Sequence, residues 1–321
     1  MKLGVFAVLL SQQPLESALD YLKSCGVEAV ELGCGGYPGK AHCDPEVLLA
    51  DNAKLEALKN AVLSRDMIIS ALSVHGNPVH PKKVIADEFD TDFEKTVLLA
   101  EKLNIDTVVT FSGCPGGSKA DQTPNWVTCP WPEDFLNVLD YQWNEVLIPY
   151  WKKSAAFAKS HGVTKIALEM HPGFCVYNPE TLLKLRAAVG DIIGANFDPS
   201  HLFWQGINPV AAIRALKGAI FHFHAKDSRI DKINASVNGV LDTKHYSDEL
   251  NRSWIFRSLG YGTDVDVWKD MVSALRMIGY DHVMSIEHED SLMSVNEGLK
   301  KAVEFLRDVM ITEKAGEMWW A

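Results

Sequence analysis

The chain repeats one pattern along its length: a short apolar run, a turn with polar residues, and a segment of helical period. The first repeat is a strand over 3–10 and a helix over 15–24, which Gly26 ends. Eight such repeats follow one another, which predicts parallel strands covered by helices. A doubly wound sheet is the alternative, but it needs a glycine-rich phosphate turn where Leu10-Ser11-Gln12-Gln13 stands. The pattern therefore favours an α/β fold, a single (β/α)₈ TIM barrel.

The eight repeats place every strand and helix of such a barrel. Strands are predicted at 3–10, 29–32, 67–74, 107–111, 165–169, 192–198, 219–224 and 282–287. Helices are predicted at 15–24, 48–64, 92–103, 132–160, 179–189, 209–216, 265–278 and 295–309. Two long polar loops remain, 112–132 after strand four and 226–262 after strand seven. Loops of this length inside a compact domain are usually functional, often as lids.

Composition narrows the class of protein. No linker rich in Pro, Gly or Ser separates two cores, so we expect a single domain over 1–321. The net charge of −11 works against binding nucleic acid, and no basic patch offsets it. The six cysteines form no C-x-x-C pair, which favours reduced thiols in a cytoplasmic protein. No apolar run approaches the roughly 20 residues that a membrane span needs.

One short run, 221–227, concentrates chemical side chains at the end of the seventh strand. Because side chains alternate in a strand, His222, His224 and Lys226 share one face. Two satisfied core histidines are the simpler interpretation of such a pair. If the site lies at the end of the strand, the later histidine, His224, is the ligand and His222 lies below it. Asp227 then points away and holds the loop.

Polar residues end most of the predicted strands, where the active site of a barrel is built. Alone, each has a plain explanation; Glu31, for example, can equally be an acid at a helix start. Together they predict one site. These residues are Glu31, His75, Glu169, His171, Asp198, His201, His224, Lys226, Glu287 and Glu289.

Four of these residues suit a divalent cation. Glu169, Asp198, His224 and Glu287 supply three carboxylates and one imidazole at the same height of the predicted barrel. Without a cation, three gathered carboxylates repel and force protonation. The set suits Mn²⁺, Mg²⁺, Co²⁺ or Zn²⁺, and the lack of a thiolate disfavours a structural zinc site.

Four strand-end segments carry a resemblance to a known family. They resemble the motifs of the xylose-isomerase-like TIM-barrel superfamily, the sugar phosphate isomerases and epimerases, related to ketose 3-epimerases and inosose dehydratases. The most specific are the Asp-x-x-His of strand six and the His-x-Lys-Asp of strand seven. The segments are 167–172, 196–201, 224–227 and 285–289. The resemblance implies that one divalent metal ion is bound by Glu169, Asp198, His224 and Glu287. It also implies that the two glutamates move protons and that His201 contacts the substrate.

Apurinic endonucleases of the same superfamily offer a nuclease alternative. They need further ligands for a three-zinc cluster. A histidine is missing after strand four, where Thr110-Phe111-Ser112 stands, and no Asp-x-His follows strand seven, where Asp227-Ser228-Arg229 stands. With those ligands absent and the chain acidic, the nuclease alternative loses support.

The chemistry we expect is removal of a proton next to a sugar carbonyl. A divalent cation lowers the cost of the cis-enediolate, and two carboxylates exchange the proton. Glu169 and Glu287 are the expected acid and base, in either order. The substrate-binding candidates are His201, His171, Lys226, His75, Glu31, Arg252, Trp126 and Trp131. Two alternatives stay open: Arg252 can pair with Asp248 instead, and the two tryptophans can pack the lid rather than stack on a sugar.

The expected function is therefore a metal-dependent sugar isomerase or epimerase. A lyase or dehydratase acting on a keto-sugar, an inosose or a keto-glycoside is the alternative within the fold, because elimination begins with the same proton abstraction. A non-catalytic sugar-binding barrel is the alternative of another class. The expected partner is a small sugar, with neither nucleic acid nor membrane. The apolar tail Met318-Trp319-Trp320 is expected to dock on the barrel or on a second copy in a homo-oligomer.

Overall fold

Ten strands are present in the computed structural model, which describes residues 1–321. They are β1 (Lys2–Phe6), β2 (Ala29–Gly33), β3 (Ile68–Ser73), β4 (Thr107–Phe111), β5 (Lys165–Glu169), β6 (Ile193–Phe197), β7 (Ile220–Ala225), β8 (Asp227–Ile230), β9 (Trp254–Arg257) and β10 (Val283–Ile286). Eight of them close a parallel barrel in the order β1-β10-β7-β6-β5-β4-β3-β2. The predicted (β/α)₈ barrel is confirmed.

Helices connect the strands and surround the barrel. They are α1 (Leu15–Ser24), α2 (Pro45–Ala50), α3 (Asn52–Leu63), α4 (Lys83–Leu103), α5 (Asp134–Asp140), α6 (Ile148–Ser160), α7 (Pro179–Val189), α8 (Ser200–Phe203), α9 (Pro209–Ala215), α10 (Lys232–Asn238), α11 (Val265–Met277) and α12 (Val295–Val309). Their apolar faces form, with the strands, one large buried cluster. No helix has the length and the apolar content to cross a membrane.

Several predicted boundaries are corrected by the structure. The first strand stops at Phe6, and a 3₁₀ helix over Ala7–Leu10 replaces its predicted end. The helix predicted at 48–64 is two helices, because Asp51 has an extended backbone and its carboxylate accepts hydrogen bonds from the first amides of α3. The helix predicted at 92–103 begins earlier, at Lys83.

The segment 226–262 is more ordered than the loop that the sequence predicts. β8 and β9 pair as an antiparallel ribbon with Ser228 opposite Phe256, and Asp231 caps the short helix α10 between them. The prediction missed the ribbon because its two strands lie far apart in the sequence. We call residues 226–262 the insert.

The first long loop, 112–132, which we call the lid, is held at its base by a buried glutamine. α5 and α6 are joined by a π-helical segment over Tyr141–Leu147, where a single helix was predicted. Gln142 in this segment is 1% exposed, and its amide donates hydrogen bonds to the carbonyl oxygens of Pro115, Gly116 and Asn125 at 3.1, 3.2 and 2.6 Å. The Gln142 side chain therefore connects Pro115 and Gly116, near the start of the lid, to Asn125 in its middle.

We predict that Gln142→Ala destabilises the protein by about 1 to 3 kcal/mol, because it leaves buried carbonyl oxygens without a donor. Gln122→Ala is the matched control, since Gln122 lies exposed on the same lid. Urea denaturation of both variants checks the difference. Equal stability of the two variants would contradict the prediction that Gln142 anchors the lid.

The insert has its own buried anchor, Asp227, as the sequence predicts. Its Oδ2 accepts hydrogen bonds from the amides of Gly260, Gly262 and Thr263 at 3.1, 3.2 and 3.0 Å, and its Oδ1 accepts one from Ser228. Burial raises the pKa of Asp227 to about 6, although these amides act in the opposite direction. The carboxylate thus ties the start of the insert to its end at a cost in desolvation.

This raised pKa predicts a pH dependence of stability. A carboxyl group with a higher pKa in the folded state binds its proton more tightly there, so its contribution to the free energy of unfolding falls as pH rises from about 4 to about 6. The fall is about 1.4 kcal/mol per pH unit. Asp227→Asn replaces the titrating carboxyl group with a neutral amide, so this contribution no longer depends on pH. Denaturation of both proteins at pH 5 and pH 7 should show a steeper loss in the wild type, and parallel losses would contradict the prediction.

Candidate metal centre and active site

The barrel brings the four predicted ligands together at the C-terminal ends of its strands. Parallel register sets their height, since Glu169 ends β5 opposite Asn196 of β6, and His224 of β7 lies opposite Ser285, two residues before Glu287. One ligand atom from each of the four lies within 4.8 Å of the others. These four residues are Glu169, Asp198, His224 and Glu287.

The donor atoms of this group are suited to a cation. Asp198 Oδ2, His224 Nδ1 and Glu287 Oε2 are buried and lack a hydrogen-bond partner of proper geometry. His224 Nδ1 lies 3.1 Å from a Glu169 oxygen and 3.0 Å from a Glu287 oxygen. The Lys226 ammonium lies near both carboxylate oxygens, but carboxylates gathered at one point stay costly unless further positive charge lies between them. The residues present therefore fit a divalent metal ion.

His224 is held from below by Glu31. Its Nε2 lies 3.0 and 2.9 Å from the two Glu31 oxygens, so Nε2 donates and Nδ1 faces the other ligands. Ser285 donates to the same carboxylate at 2.8 Å, and Ser73 also does. Burial opposes ionisation of Glu31, but the histidine charges and hydrogen bonds around it prevail and lower its pKa to about 2.

The role predicted for Glu31 is corrected by this arrangement. Glu31 is completely buried, so it does not reach a substrate. Its position instead fixes the orientation of the His224 ring, as carboxylates behind metal-binding histidines commonly do. The sequence shows Glu31 at a strand end but not the ring of His224 above it.

Glu169 is oriented by three side chains. His75 Nε2 donates to Oε2 at 3.1 Å, His201 Nε2 donates to Oε1 at 3.0 Å, and the Asn196 amide donates to Oε2 at 3.0 Å. Burial opposes ionisation, but these bonds and that of His224 keep the pKa of Glu169 well below its usual range. Sequence reasoning missed Asn196, whose only signal was a polar residue inside an apolar strand.

His222 lies one layer below, at the position that the alternation of β7 predicts. Its Nδ1 donates to Asn196 Oδ1 at 3.0 Å, and its Nε2 lies 3.3 Å from Ser70 Oγ. Burial lowers the pKa of His222 to about 3, despite the opposing charge of Glu31. A neutral His222 therefore orients Asn196, which in turn orients Glu169.

Lys226 supplies a buried positive charge beside the ligands. Its ammonium lies 3.1 Å from Asp198, 2.9 Å from Glu287 and 3.2 Å from Glu289. Burial works to lower the pKa of Lys226, but these carboxylates outweigh it and keep the pKa well above the usual value. Lys226 offsets part of the negative charge and lines the pocket.

A pocket of about 200 Å³ opens above the ligands. We call it the reaction pocket. Glu169, Glu287, Lys226, His75 and His171 all line it, together with aromatic and apolar side chains from other strand ends. His171 donates through Nδ1 to the Pro172 carbonyl at 2.6 Å, and burial lowers its pKa to about 3. A neutral His171 presents an accepting Nε2.

Three other predicted substrate contacts are placed differently by the structure. Arg252 is 2% exposed; its Nε donates to the carbonyl of Trp254, and its side chain lies against the Tyr246 and Trp254 rings. It therefore braces the insert, does not line the reaction pocket and makes no ion pair with Asp248. Trp131 is 76% exposed on the lid, outside the reaction pocket. Trp126 lies against Tyr177 and lines a neighbouring cavity.

Comparison with known proteins agrees with this fold. The model of the family described as xylose isomerase-like TIM barrel matches residues 19–309. A Bacillus subtilis protein, the uncharacterized protein YfiH, is 39% identical over 312 residues, covering 97% of this chain and 99% of that protein. This relative matches almost the entire barrel.

Solved structures share the same fold at low sequence identity. The probable 3-DHS dehydratase AsbF from Bacillus anthracis has a TM-score of 0.66 at 17% identity, covering 96% of this chain and 99% of AsbF. The IolI protein, solved with a bound zinc atom, has a TM-score of 0.65 at 21% identity, with 96% and 98% covered. A D-tagatose 3-epimerase-like protein has a TM-score of 0.64 at 20% identity, with the same coverage.

We predict that His224→Ala abolishes stoichiometric binding of Mn²⁺, whereas His222→Ala retains it. His224 presents Nδ1 to the other ligands, but both nitrogens of His222 face the barrel interior. Glu31→Gln should weaken binding about 10- to 100-fold, because it removes the charge that orients His224. Isothermal titration with Mn²⁺ measures all three.

Glu56→Gln, on the exposed face of α3, is the control and should bind Mn²⁺ as the wild type does. Circular dichroism confirms that each variant is folded. Loss of Mn²⁺ in His222→Ala together with retention in His224→Ala would reverse the assignment of the two histidines.

Proposed function

Because this chain belongs to the xylose isomerase-like TIM barrel family, we propose that it is a divalent-metal-dependent enzyme that isomerises or epimerises a sugar. One observation carries the proposal. Two glutamates, Glu169 and Glu287, each lie within a group of potential metal ligands and line the reaction pocket. Carboxylates placed in this way can exchange a proton with a substrate bound in the pocket.

We propose Glu169, Asp198, His224 and Glu287 as the ligands of one Mn²⁺, Mg²⁺, Co²⁺ or Zn²⁺ ion. When bound, the ion supplies the positive charge that lowers the cost of negative charge developing on the substrate oxygens. Oxygen and nitrogen donors without a thiolate suit all four metals.

The remaining residues receive roles from their contacts. His75 and His201 hold the two oxygens of Glu169, so this carboxylate has a fixed direction toward the pocket. Glu287 is contacted by Lys226 and His224 and is partly exposed. We therefore propose Glu169 and Glu287 as the proton-exchanging pair. Lys226 and His171, both at the pocket wall, would bind substrate oxygens.

Elimination is the second candidate reaction, because it begins with the same proton removal. A neighbouring cavity that shares His171 with the reaction pocket favours it, since the cavity offers space for a leaving group. A lyase or dehydratase acting on a keto-sugar, an inosose or a keto-glycoside would use the same two glutamates.

We also propose that the protein works in the cytoplasm, on a small neutral sugar. All six cysteines are free thiols in the structure, as in proteins of reducing compartments. Association into a homo-oligomer stays a proposal. The side chains of Met318, Trp319 and Trp320 are 68, 87 and 68% exposed, so the tail does not dock on its own barrel.

We predict that the Mn²⁺-loaded protein exchanges the hydrogen next to the carbonyl of a ketose or 3-keto-sugar for deuterium in D₂O. Glu287→Gln should lower the exchange rate at least 1,000-fold yet retain sugar affinity, because an amide does not take up the proton. Glu304→Gln, on the exposed side of α12, is the matched control. NMR and mass spectrometry follow the label and the products.

The products separate the candidate reactions. An unchanged mass with deuterium at the reacting carbon indicates isomerisation or epimerisation, whereas loss of water or of a substituent indicates elimination. Sugar binding with no exchange for any keto-sugar would contradict the enzyme proposal and leave a sugar-binding barrel.

A further inference from the structure

A second hollow of about 370 Å³ adjoins the reaction pocket. His171 lines both spaces, so the two meet at its ring. We call this hollow the aromatic chamber. Its aromatic walls are Trp126 of the lid, Trp204 after α8, and Tyr246 and Trp254 of the insert.

The walls of the chamber are fixed by their own contacts. The rings of Trp204 and Trp254 stack at 4.6 Å with an angle of 5° between their planes. The indole of Trp254 donates to the Val240 carbonyl at 3.1 Å, and the Tyr246 ring stacks on Phe256 at 5.8 Å. These contacts fix the walls of the chamber before a ligand arrives, and Arg252 covers one face of the Tyr246 ring and one face of the Trp254 ring.

Two hydrogen-bond donors at the chamber have no partner. The indole N–H groups of Trp126 and Trp204 are buried and unpaired, and Trp204 as a whole is only 5% exposed. A buried donor without an acceptor is destabilising, and both residues line the chamber. Because neither N–H group is open to solvent, these donors face protein, and the chamber meets a ligand through ring surfaces instead.

The charged side chains near the chamber are paired within the protein. Asp242 accepts hydrogen bonds from the Ser253 amide at 2.6 Å and from the Lys244 ammonium at 2.9 Å. Arg252 donates to the carbonyl oxygens of Trp254 and Lys244. No charge is left to select a phosphate or a carboxylate, so the ligand group that fits is uncharged.

From these observations we infer that the aromatic chamber binds a second, uncharged ring joined to the sugar in the reaction pocket, so that the substrate is a glycoside. The inference rests on the proposed function, which places a sugar ring in the reaction pocket. That pocket, at about 200 Å³, is smaller than the roughly 300 to 1,000 Å³ of typical small-molecule sites. A substrate filling both spaces places its second ring against the aromatic side chains of the chamber.

Titration calorimetry of the protein with D-glucose, methyl β-D-glucoside, phenyl β-D-glucoside and maltose tests the inference. We expect phenyl glucoside or maltose to bind at least tenfold more tightly than D-glucose and methyl glucoside. Preference for maltose alone identifies a sugar as the second ring, and preference for phenyl glucoside alone identifies an aromatic group.

Two substitutions connect the preference to the chamber. Tyr246→Ala should reduce the preference for the two-ring ligand at least fivefold, and Tyr261→Ala, at the end of the insert and outside the chamber, is its matched control. Trp126→Ala, which removes one aromatic wall of the chamber, should reduce the preference two- to fivefold. Equal affinities for all four ligands, or a preference that persists in Tyr246→Ala and Trp126→Ala, would overturn the inference.

The deuterium experiment separates this inference from the proposed function. If no keto-sugar exchanges its hydrogen but the two-ring preference depends on Tyr246, the proton chemistry is overturned and the chamber assignment stands. If exchange occurs while no two-ring ligand is preferred, the chamber assignment is overturned and the proposed function stands.

Discussion

The structure depends on the gathering of carboxylates at one end of the barrel. Glu31 and Asp198 are completely buried, and Glu169 is 2% exposed. Buried carboxylates that are not compensated cost several kcal/mol each. Within the protein, the compensation comes from Lys226 and His224 and from neutral donors such as Asn196. The negative charge of the carboxylates still exceeds the positive charge of Lys226 and His224, which is the physical reason to expect a cation there.

The compensation is arranged in layers. At the lowest level, Ser70 and His222 orient Asn196, which holds Glu169. Beside this series of hydrogen bonds, Glu31 accepts a hydrogen bond from His224 and orients its ring. A neutral His222 suits this position, because an amide oxygen and a hydroxyl satisfy it without a further charge in the barrel. Part of the support for Glu169 and His224 therefore comes from residues that do not line the pocket, whereas His75 and Lys226 support the same group of side chains and do line it.

The sequence predicts the parts of this arrangement that follow from local pattern. Strand ends carry Glu169, Asp198, His224 and Glu287, and parallel register brings such ends level, so their meeting follows from the barrel itself. The burial of Arg252 cannot be inferred in this way. The sequence predicts an exposed loop arginine, but the side chain is buried because Tyr246 and Trp254, at other positions of the insert, stack against it. Contacts that depend on how a long insert folds back leave no periodic signal.

Two anchors explain how long loops can shape a pocket at all, and the sequence predicts Asp227 but not Gln142. A loop that moves freely would lose much of its binding energy in ordering its side chains. Gln142 joins three carbonyl oxygens of the lid, and Asp227 joins both ends of the insert through backbone amides. The loops are therefore part of the rigid structure before a ligand arrives. The strands carry the acid, base and metal-ligand candidates, whereas the anchored loops decide the size of the molecule presented to them. Relatives that keep the strand ends but change the lid and insert should share the chemistry and differ in substrate.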